Sequence, residues 1–443
     1  MVALALAGAG LVGVTAPTAG ALGASGPSGA GRPGGATTAT VAGTQDGADA
    51  GRDARRGVDA RALDAAVRGV VDPGGASATL ARVSERGRTV WKGAAGTADF
   101  TTGAPVDADG LFRIGSVTKT FVSTVVLQLA AEGRLRLDDP VEKLLPGAVP
   151  NGRNITLRQL LNHTSGLFNY TEDEAFGYEE DPVRLREWLE TGRYTRYTPQ
   201  QLIALANAHP PYFAPGQGAH YSNTNYLVVG QIVERVTGHS WQQEVDRRIV
   251  RRLGLTHTFM PDHSTKIPGP HAHGYYDLPA GPADVTELDP SMAGAAGAGI
   301  STTADLTTFV TALIGGRLLP RPLLAEMMAV TPQSGEDAYG LGLQRVSTPC
   351  GPVWGHAGGI PGYNTFVYTD SDTRRQFAAS VNAFDMSNLP ATNAAFQTLL
   401  DTGTCGGPPP TASVPPTASV PPTALVPAAT LVPATTLVPA PAG

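Results

Sequence analysis

The chain has 443 residues, enough for one large domain or two ordinary ones, and a formal net charge of −6. That acidic balance offers nothing to a nucleic-acid backbone. Two cysteines, Cys350 and Cys405, are too few for a disulfide scaffold and lack the spacing of a metal site.

Residues 1–24 carry no charge. Met1 to Val14 is rich in Ala, Leu, Val and Gly, and Ala19-Gly20-Ala21 fits a small-x-small cleavage site, so a secretory signal peptide is expected here. The basic segment that ordinarily opens such a signal is missing, the first charge being Arg32. The expected localisation is secreted, with cell-wall association and no transmembrane segment in the mature chain. In an exported chain a Cys350–Cys405 bridge would close a loop of about 55 residues and stabilise by about 4 kcal/mol. The alternative is a pair of free buried thiols. Residues 25–57 hold almost no large apolar side chains and are expected to be a disordered linker.

The first ordered element is a helix over Ala62 to Val71, with apolar residues at helical spacing and a stop at Asp72-Pro73-Gly74-Gly75. Ala76 to Val83 reads as a strand, Glu85 to Arg88 as a turn and Thr89 to Gly93 as the return strand. Next comes Arg113-Ile-Gly-Ser-Val-Thr-Lys119-Thr120, with the apolar run Phe121 to Ala131 read as a buried helix. Helices are also predicted at Thr156–Leu161, Pro199–Ala208, from Asn225 to Thr237, Trp241–Leu253, Thr302–Gly315 and Pro322–Val330. Residues 168–198 read as tyrosine-rich turns, with Glu179-Glu180-Asp181 a solvated loop face. Strands return at Pro352–Gly358, Tyr363–Tyr368 and Arg375–Val381, and a last helix covers Ala391–Leu400. These elements predict an α+β fold: one antiparallel β-sheet flanked by helices, with the first and last helices on one face and a helical subdomain, about 121–330, inserted beside it. From Pro408 the chain is uncharged and repetitive, with Pro-Pro-Thr-Ala-Ser-Val at 409–414 and 415–420. The tail 406–443 is therefore expected to be an extended stalk.

Three clusters carry candidate chemistry. Ser116 and Lys119 are three apart at a helix start, so they share one face. Serine needs an adjacent base to become a nucleophile, and a lysine in apolar surroundings can lose its proton to serve as one. Tyr221-Ser222-Asn223 offers a phenol as a proton carrier, if cations hold it near its anionic form, and an amide that can accept from a lysine. The competing reading is a plain helix cap. His356-Ala357-Gly358-Gly359, on a predicted edge strand, offers positive charge or a hydrogen bond from His356. Its glycines allow close backbone approach and free a main-chain N–H for an oxyanion. His271-Ala272-His273 has the look of two metal ligands, but no acidic or cysteine partner is in reach in sequence and a loop is expected. No metal or other cofactor is expected. Tyr170 and Phe176 either wall the pocket or pack the helices.

Together the three clusters resemble the penicillin-recognising serine hydrolases, above all class C β-lactamases and the secreted D-alanyl-D-alanine carboxypeptidases of actinomycetes. Further segments read like that family: Asn162-His163-Thr164-Ser165-Gly166-Leu167, Ala296-Gly297 before Ile300-Ser301-Thr302, and Tyr339-Gly-Leu-Gly-Leu343. The resemblance spans residues 58–405 and implies the β-lactamase and peptidase fold, with the active site between sheet and helical subdomain. It also implies a Cys350–Cys405 disulfide. By position it implies Ser116 as the acylated nucleophile, Lys119 as its activator, Tyr221 as the proton shuttle and Asn223 as the residue that orients Lys119 and the substrate amide. His356, Gly358 and Gly359 would bind substrate, the N–H groups of Ser116 and Gly359 forming the oxyanion hole. Whether Lys119 or Tyr221 takes the serine proton first is left open.

Two positions depart from the carboxypeptidase pattern. Ala357 replaces a threonine, and Gln344 stands where an arginine is expected, with Arg345 one residue on. Those groups grip the substrate's C-terminal carboxylate in the family, and their loss removes hydrogen bonds worth about 1.5–3 kcal/mol each. Met292 also falls where relatives place a cleft tryptophan. The expectation is a monomeric exported serine acyl-hydrolase, D-alanyl-D-alanine carboxypeptidase-like, acting on cell-wall-type D-amino-acid peptides and reacting with β-lactams. An esterase, a D-stereospecific amidohydrolase or a β-lactamase on the same scaffold is the alternative, and a non-hydrolytic penicillin-binding module a further one.

Overall fold

The computed structural model describes residues 58–73, 75–383 and 389–408. The expected signal peptide, the linker and all but the first residues of the tail lie outside the described residues.

Helix α1 (Ala60–Val71) starts where the Asp59 side chain accepts the Ala62 N–H, and it turns Leu63, Val67 and Val70 inward. Strands β1 (Ala76–Glu85) and β2 (Arg88–Asp99) form a hairpin. Its two-residue loop has positive φ at both Arg86 and Gly87, the geometry whose twist matches the strands it joins. Strand β2 runs beyond the expected Gly93 because Ala94, Ala95 and Gly96 keep pairing with β1, although their side chains carry little strand preference. Short strands β3 (Ala104–Pro105) and β4 (Phe112–Arg113) follow.

Helix α2 (Val117–Ala131) begins four residues earlier than the apolar run alone suggests and is buried on every side for most of its length. The helices around it are α3 (Val141–Leu144), α4 (Leu157–Leu161), α5 (Pro182–Glu190), α6 (Pro199–Asn207) and α7 (Asn223–Thr237). Helix α5 falls in the stretch expected to be turns: it has only Leu185 and Trp188 as buried anchors among charged neighbours. The expected helix over 241–253 is α8 (Trp241–Val245), then a π-turn (Asp246–Val250), then α9 (Arg251–Leu253). The hairpin β5 (Tyr275–Leu278) and β6 (Gly281–Asp284) was not anticipated. Strand β7 (Ile300–Ser301) pairs with β4, and α10 (Thr303–Ile314) and α11 (Arg321–Met328) follow.

The late strands are β8 (Gln344–Thr348), β9 (Gly351–Ile360), β10 (Tyr363–Asp370) and β11 (Arg375–Ala383), and α12 (Leu389–Cys405) closes the described chain. One seven-stranded antiparallel sheet results, in the order β3-β2-β1-β11-β10-β9-β8. Helices α1 and α12 cover one face, where Leu63, Val67, Phe396 and Leu399 pack on Val83, Phe366, Phe377 and Val381. The opposite face meets α2 and α10, through a core that continues into the helical insertion. A Cys350–Cys405 disulfide, with Cα atoms 5.5 Å apart, ties the β8–β9 turn to the end of α12. No helix among the described residues is long and apolar enough to cross a membrane.

Candidate active site

Ser116 stands at the mouth of α2, on a turn whose approach is fixed from both sides. The buried Arg113 side chain donates to the carbonyls of Thr265 and Thr286, and its own carbonyl accepts from Thr365 Oγ1 at 2.9 Å. Gly115 has φ +48°, and a Cβ there would lie 2.8 Å from Gly359 N. A Cβ on Gly358 would lie 2.0 Å from the Ile114 carbonyl and 2.8 Å from Ser116 N. The serine turn and strand β9 thus touch backbone to backbone, which only glycine permits.

Lys119, one turn along α2, is fully buried. Its Nζ lies 2.9 Å from Ser116 Oγ, 2.7 Å from Asn223 Oδ1 and 2.7 Å from the Ala296 carbonyl. All three partners are neutral. Two of them can only accept. Asn223 Nδ2 donates to Thr171 Oγ1 at 3.3 Å, and this fixes Oδ1 toward the lysine. Burial holds the Lys119 ammonium well below its ordinary pKa. A neutral amine matches these partners: its two N–H bonds serve Asn223 and Ala296, and its lone pair faces the Ser116 hydroxyl. Asn223 therefore sits where its expected orienting role requires. Nothing in residue type marks the Ala296 carbonyl as a partner of Lys119.

Tyr221 lies just before α7. Its ring centroid is 4.8 Å from Lys119 Nζ. The hydroxyl is buried and makes no hydrogen bond among the described residues. Burial pushes it well above the usual phenol range, and the Ser116 hydroxyl nearby acts in the opposite sense. The condition for a phenol near its anionic form is not met here: burial outweighs the Ser116 contribution and favours the protonated hydroxyl of Tyr221. Ser222 leaves its side chain on the Phe168 carbonyl, and Asn223 N donates to Asn169 Oδ1 at 3.0 Å, so neither residue caps α7 with its side chain.

Strand β9 is next to the edge rather than at it. Strand β8 pairs with it only as far as Gln344 opposite Gly355, so His356 to Ile360 are free of β8. The Ala357 N–H turns to that side and donates to Gln344 Oε1 at 2.8 Å. Successive N–H groups alternate along a strand, so the Gly359 N–H leaves the same side, toward the serine turn. Gln344 Oε1 also accepts from the Tyr368 hydroxyl at 3.3 Å.

Of the two roles expected of His356, positive charge or a hydrogen bond, the structure leaves the second: the residue is fully buried and its ring nitrogens both have partners. Nδ1 donates to the Ala357 carbonyl, and Nε2 lies 2.8 Å from the Tyr339 hydroxyl. Burial, with Lys119 adding to it, pushes its pKa down to about 3. The imidazole is neutral and supplies no positive charge.

The remaining candidates make other contacts. Tyr170 and Phe176 are core residues, the Tyr170 hydroxyl donating to the Met292 carbonyl at 2.6 Å. Met292 is itself buried in the main core. Glu179 is buried and accepts from the Tyr276 hydroxyl at 2.7 Å, so the acidic triplet is not wholly a solvated face. His273 does find an acidic partner, Asp284 at 2.6 Å across the β5–β6 hairpin, contrary to expectation. Even so, no group of three or more potential metal-ligating side chains occurs among the described residues.

A family model described as Beta-lactamase matches residues 63–400. The chain is 36% identical over 181 residues to an esterase, EstB, of Burkholderia gladioli, covering 40% of this chain and 45% of the esterase. It is 32% identical over 223 residues to penicillin-binding protein 4 of Amycolatopsis lactamdurans, covering 49% and 54%. The chain thus spans about half the length of these curated relatives. Among solved structures, a D-stereospecific amidohydrolase from a Streptomyces species is similar at a TM-score of 0.70 and 41% identity, covering 79% of this chain and 99% of that one.

Proposed function

The chain belongs to the β-lactamase family and is a serine hydrolase of the penicillin-binding protein, esterase and D-amino-acid amidohydrolase type, and from that premise we propose that it hydrolyses amides and esters of D-amino acids through an acyl-enzyme on Ser116. The observation that carries the chemistry is the placement of Lys119 Nζ between two groups that can only accept and the Ser116 hydroxyl. In this reading Lys119 takes the Oγ proton as Oγ attacks the substrate carbonyl. The N–H groups of Ser116 and Gly359 hold the oxyanion. The C–N or C–O bond then breaks, Tyr221 gives its proton to the leaving group, and the Lys119 ammonium reprotonates Tyr221. Water completes the cycle: it attacks the acyl carbon as the neutral Lys119 amine takes its proton, and the acyl–Oγ bond breaks as the Lys119 ammonium returns that proton to Ser116 Oγ.

Substrate preference follows from the far end of the site. Ala357 has no hydroxyl, His356 is neutral, and Gln344 brings an amide oxygen already bound to Ala357 N–H. A leaving group ending in a free carboxylate meets no cation from these three residues. A neutral amide or alcohol needs none. The similarity to a D-stereospecific amidohydrolase supports this reading over a D-alanyl-D-alanine carboxypeptidase. The disulfide supports a further part of the proposal, that the enzyme works outside the cytoplasm.

The test compares kcat/KM for D-phenylalanine amide, L-phenylalanine amide, a p-nitrophenyl ester, nitrocefin and a diacyl D-Ala-D-Ala peptide. Losing two charge-assisted bonds predicts at least about 10-fold preference for the D-amide over the peptide. A preference for the peptide sinks the substrate assignment. An intact-mass adduct with a fluorophosphonate that persists in Ser116→Ala sinks the mechanism.

A further inference from the structure

His163 is buried against the Tyr221 ring and holds the His220–Ser222 segment at three points. Its carbonyl accepts the His220 N–H at 3.0 Å. Its Nδ1 accepts the Ser222 N–H at 3.2 Å. Its ring packs against the Tyr221 ring, centroids 4.2 Å apart. The tautomer is set by this geometry: a backbone N–H can only donate, so Nδ1 carries the lone pair and Nε2 the proton. Asn225 Nδ2 lies 3.2 Å from the same Nδ1, and its Oδ1 accepts from Ser165 Oγ at 2.7 Å, which fixes the amide in the donating sense.

Two features set this histidine apart from an ordinary core residue. Its φ is +62°, a conformation that side-chain-bearing residues adopt rarely. Its Nε2 is buried without a hydrogen-bond partner among the described residues. Of the ring's two nitrogens, only Nδ1 joins a hydrogen-bond network. What the arrangement does accomplish is to pin the backbone on both sides of Tyr221 and brace its ring from behind. The bracing continues through Tyr339, whose ring centroid is 4.8 Å from that of His163 and whose hydroxyl meets His356 Nε2.

We propose that His163 is a positioning residue that aims the Tyr221 hydroxyl at the leaving group on Ser116, an assignment that rests on the proton-delivery role given to Tyr221 above. Such a role has a signature that general support of the fold lacks. A p-nitroanilide must gain a proton as its C–N bond breaks. A p-nitrophenyl ester expels a stable phenolate and needs none. Misaiming Tyr221 should therefore slow acylation by the anilide far more than by the ester of the same D-amino acid.

His163→Asn is the variant of choice, because asparagine tolerates positive φ and its amide oxygen can replace Nδ1, while the ring brace is lost. Single-turnover acylation is measured for both substrates in wild type, His163→Asn and Tyr221→Phe. The expected result is a loss on the anilide at least about 10-fold greater than on the ester, in kcat rather than KM, for both variants. If Tyr221→Phe shows that split and His163→Asn slows both substrates equally, the positioning role is overturned and His163 is merely structural. If Tyr221→Phe itself shows no split, the proton-delivery reading fails and the His163 assignment falls with it. Should the Asn variant not fold, His163→Gln is judged by the same ratio.

Discussion

Asn223→Asp puts a carboxylate where a neutral amide oxygen now lies 2.7 Å from Lys119 Nζ, with almost no change in shape. In the proposed mechanism Lys119 can activate Ser116 because burial without a counter-charge disfavours its ammonium. A carboxylate at that position supplies the counter-charge. At an effective dielectric near 20, unit charges about 4 Å apart attract by about 4 kcal/mol. One pKa unit corresponds to about 1.4 kcal/mol, so the lysine should rise by about three units. Its neutral fraction at pH 7 then falls, by at most about 10³, and acylation falls with it. The sign is diagnostic: a raised lysine pKa moves the rising limb of the rate profile to higher pH, so the variant recovers under alkaline conditions. Asn223→Ala adds no charge and should lose rate without that displacement. Stopped-flow acylation by a p-nitrophenyl ester between pH 6 and 10 reads both limbs. An Asn223→Asp enzyme with the wild-type rate at pH 7 and an unmoved profile would refute the neutral-lysine argument.

Three further outcomes are expected. Gln344→Arg removes the acceptor on Ala357 N–H and adds a cation at the leaving-group end, and should raise turnover of a D-Ala-D-Ala peptide relative to D-phenylalanine amide by about 10-fold, the worth of one charge-assisted bond; an unchanged ratio of the two kcat/KM values would count against the carboxylate argument. Cys405→Ser should cost about 4 kcal/mol on the chain-entropy model for a sequence separation of 55, read as a lower denaturant midpoint that added reductant does not lower further. His356, held down to about pKa 3 against an ordinary value near 6.5, binds its proton in the unfolded chain first. Stability should therefore fall as pH drops from about 6.5 toward about 3, and His356→Gln should flatten that part of the urea-midpoint profile.

The sheet was legible because its signals are local. Arg86-Gly87 between alternating segments announces the hairpin, and the turn at Asp370 to Asp372 separates β10 from β11. The same locality explains what was missed. Helix α5 is mostly charged, with two buried side chains as anchors, so its pattern is nearly invisible until Trp188 stacks on Tyr178. Glu179 looks like surface until β5 brings Tyr276 to it from 97 residues away. In the site, Ser116 and Lys119 are neighbours on one helix, and their spacing alone suggested contact. The groups that decide how they behave come from elsewhere. Ala296 is 177 residues from Lys119, and a backbone carbonyl carries no mark in sequence. The protonation of Tyr221 and His356 stayed open for a related reason: residue type says what can ionise, whereas burial decides whether it does.

The contact between Gly115 and Gly358 also limits how this enzyme can be altered. Atoms at that junction belong to the main chain, so a library of side-chain replacements cannot tune the spacing between the serine turn and β9; it can only wedge the two apart. Variation that leaves catalysis running has to enter through the other walls. Gln344 and Ala357, joined by one hydrogen bond and carrying no charge, are the positions that the proposed substrate reading assigns to the leaving-group end. A search for new leaving groups is best confined to that pair and its surroundings, with the glycines left untouched. Two replaceable side chains beside an irreplaceable backbone junction let one acylation apparatus be refitted to different substrates.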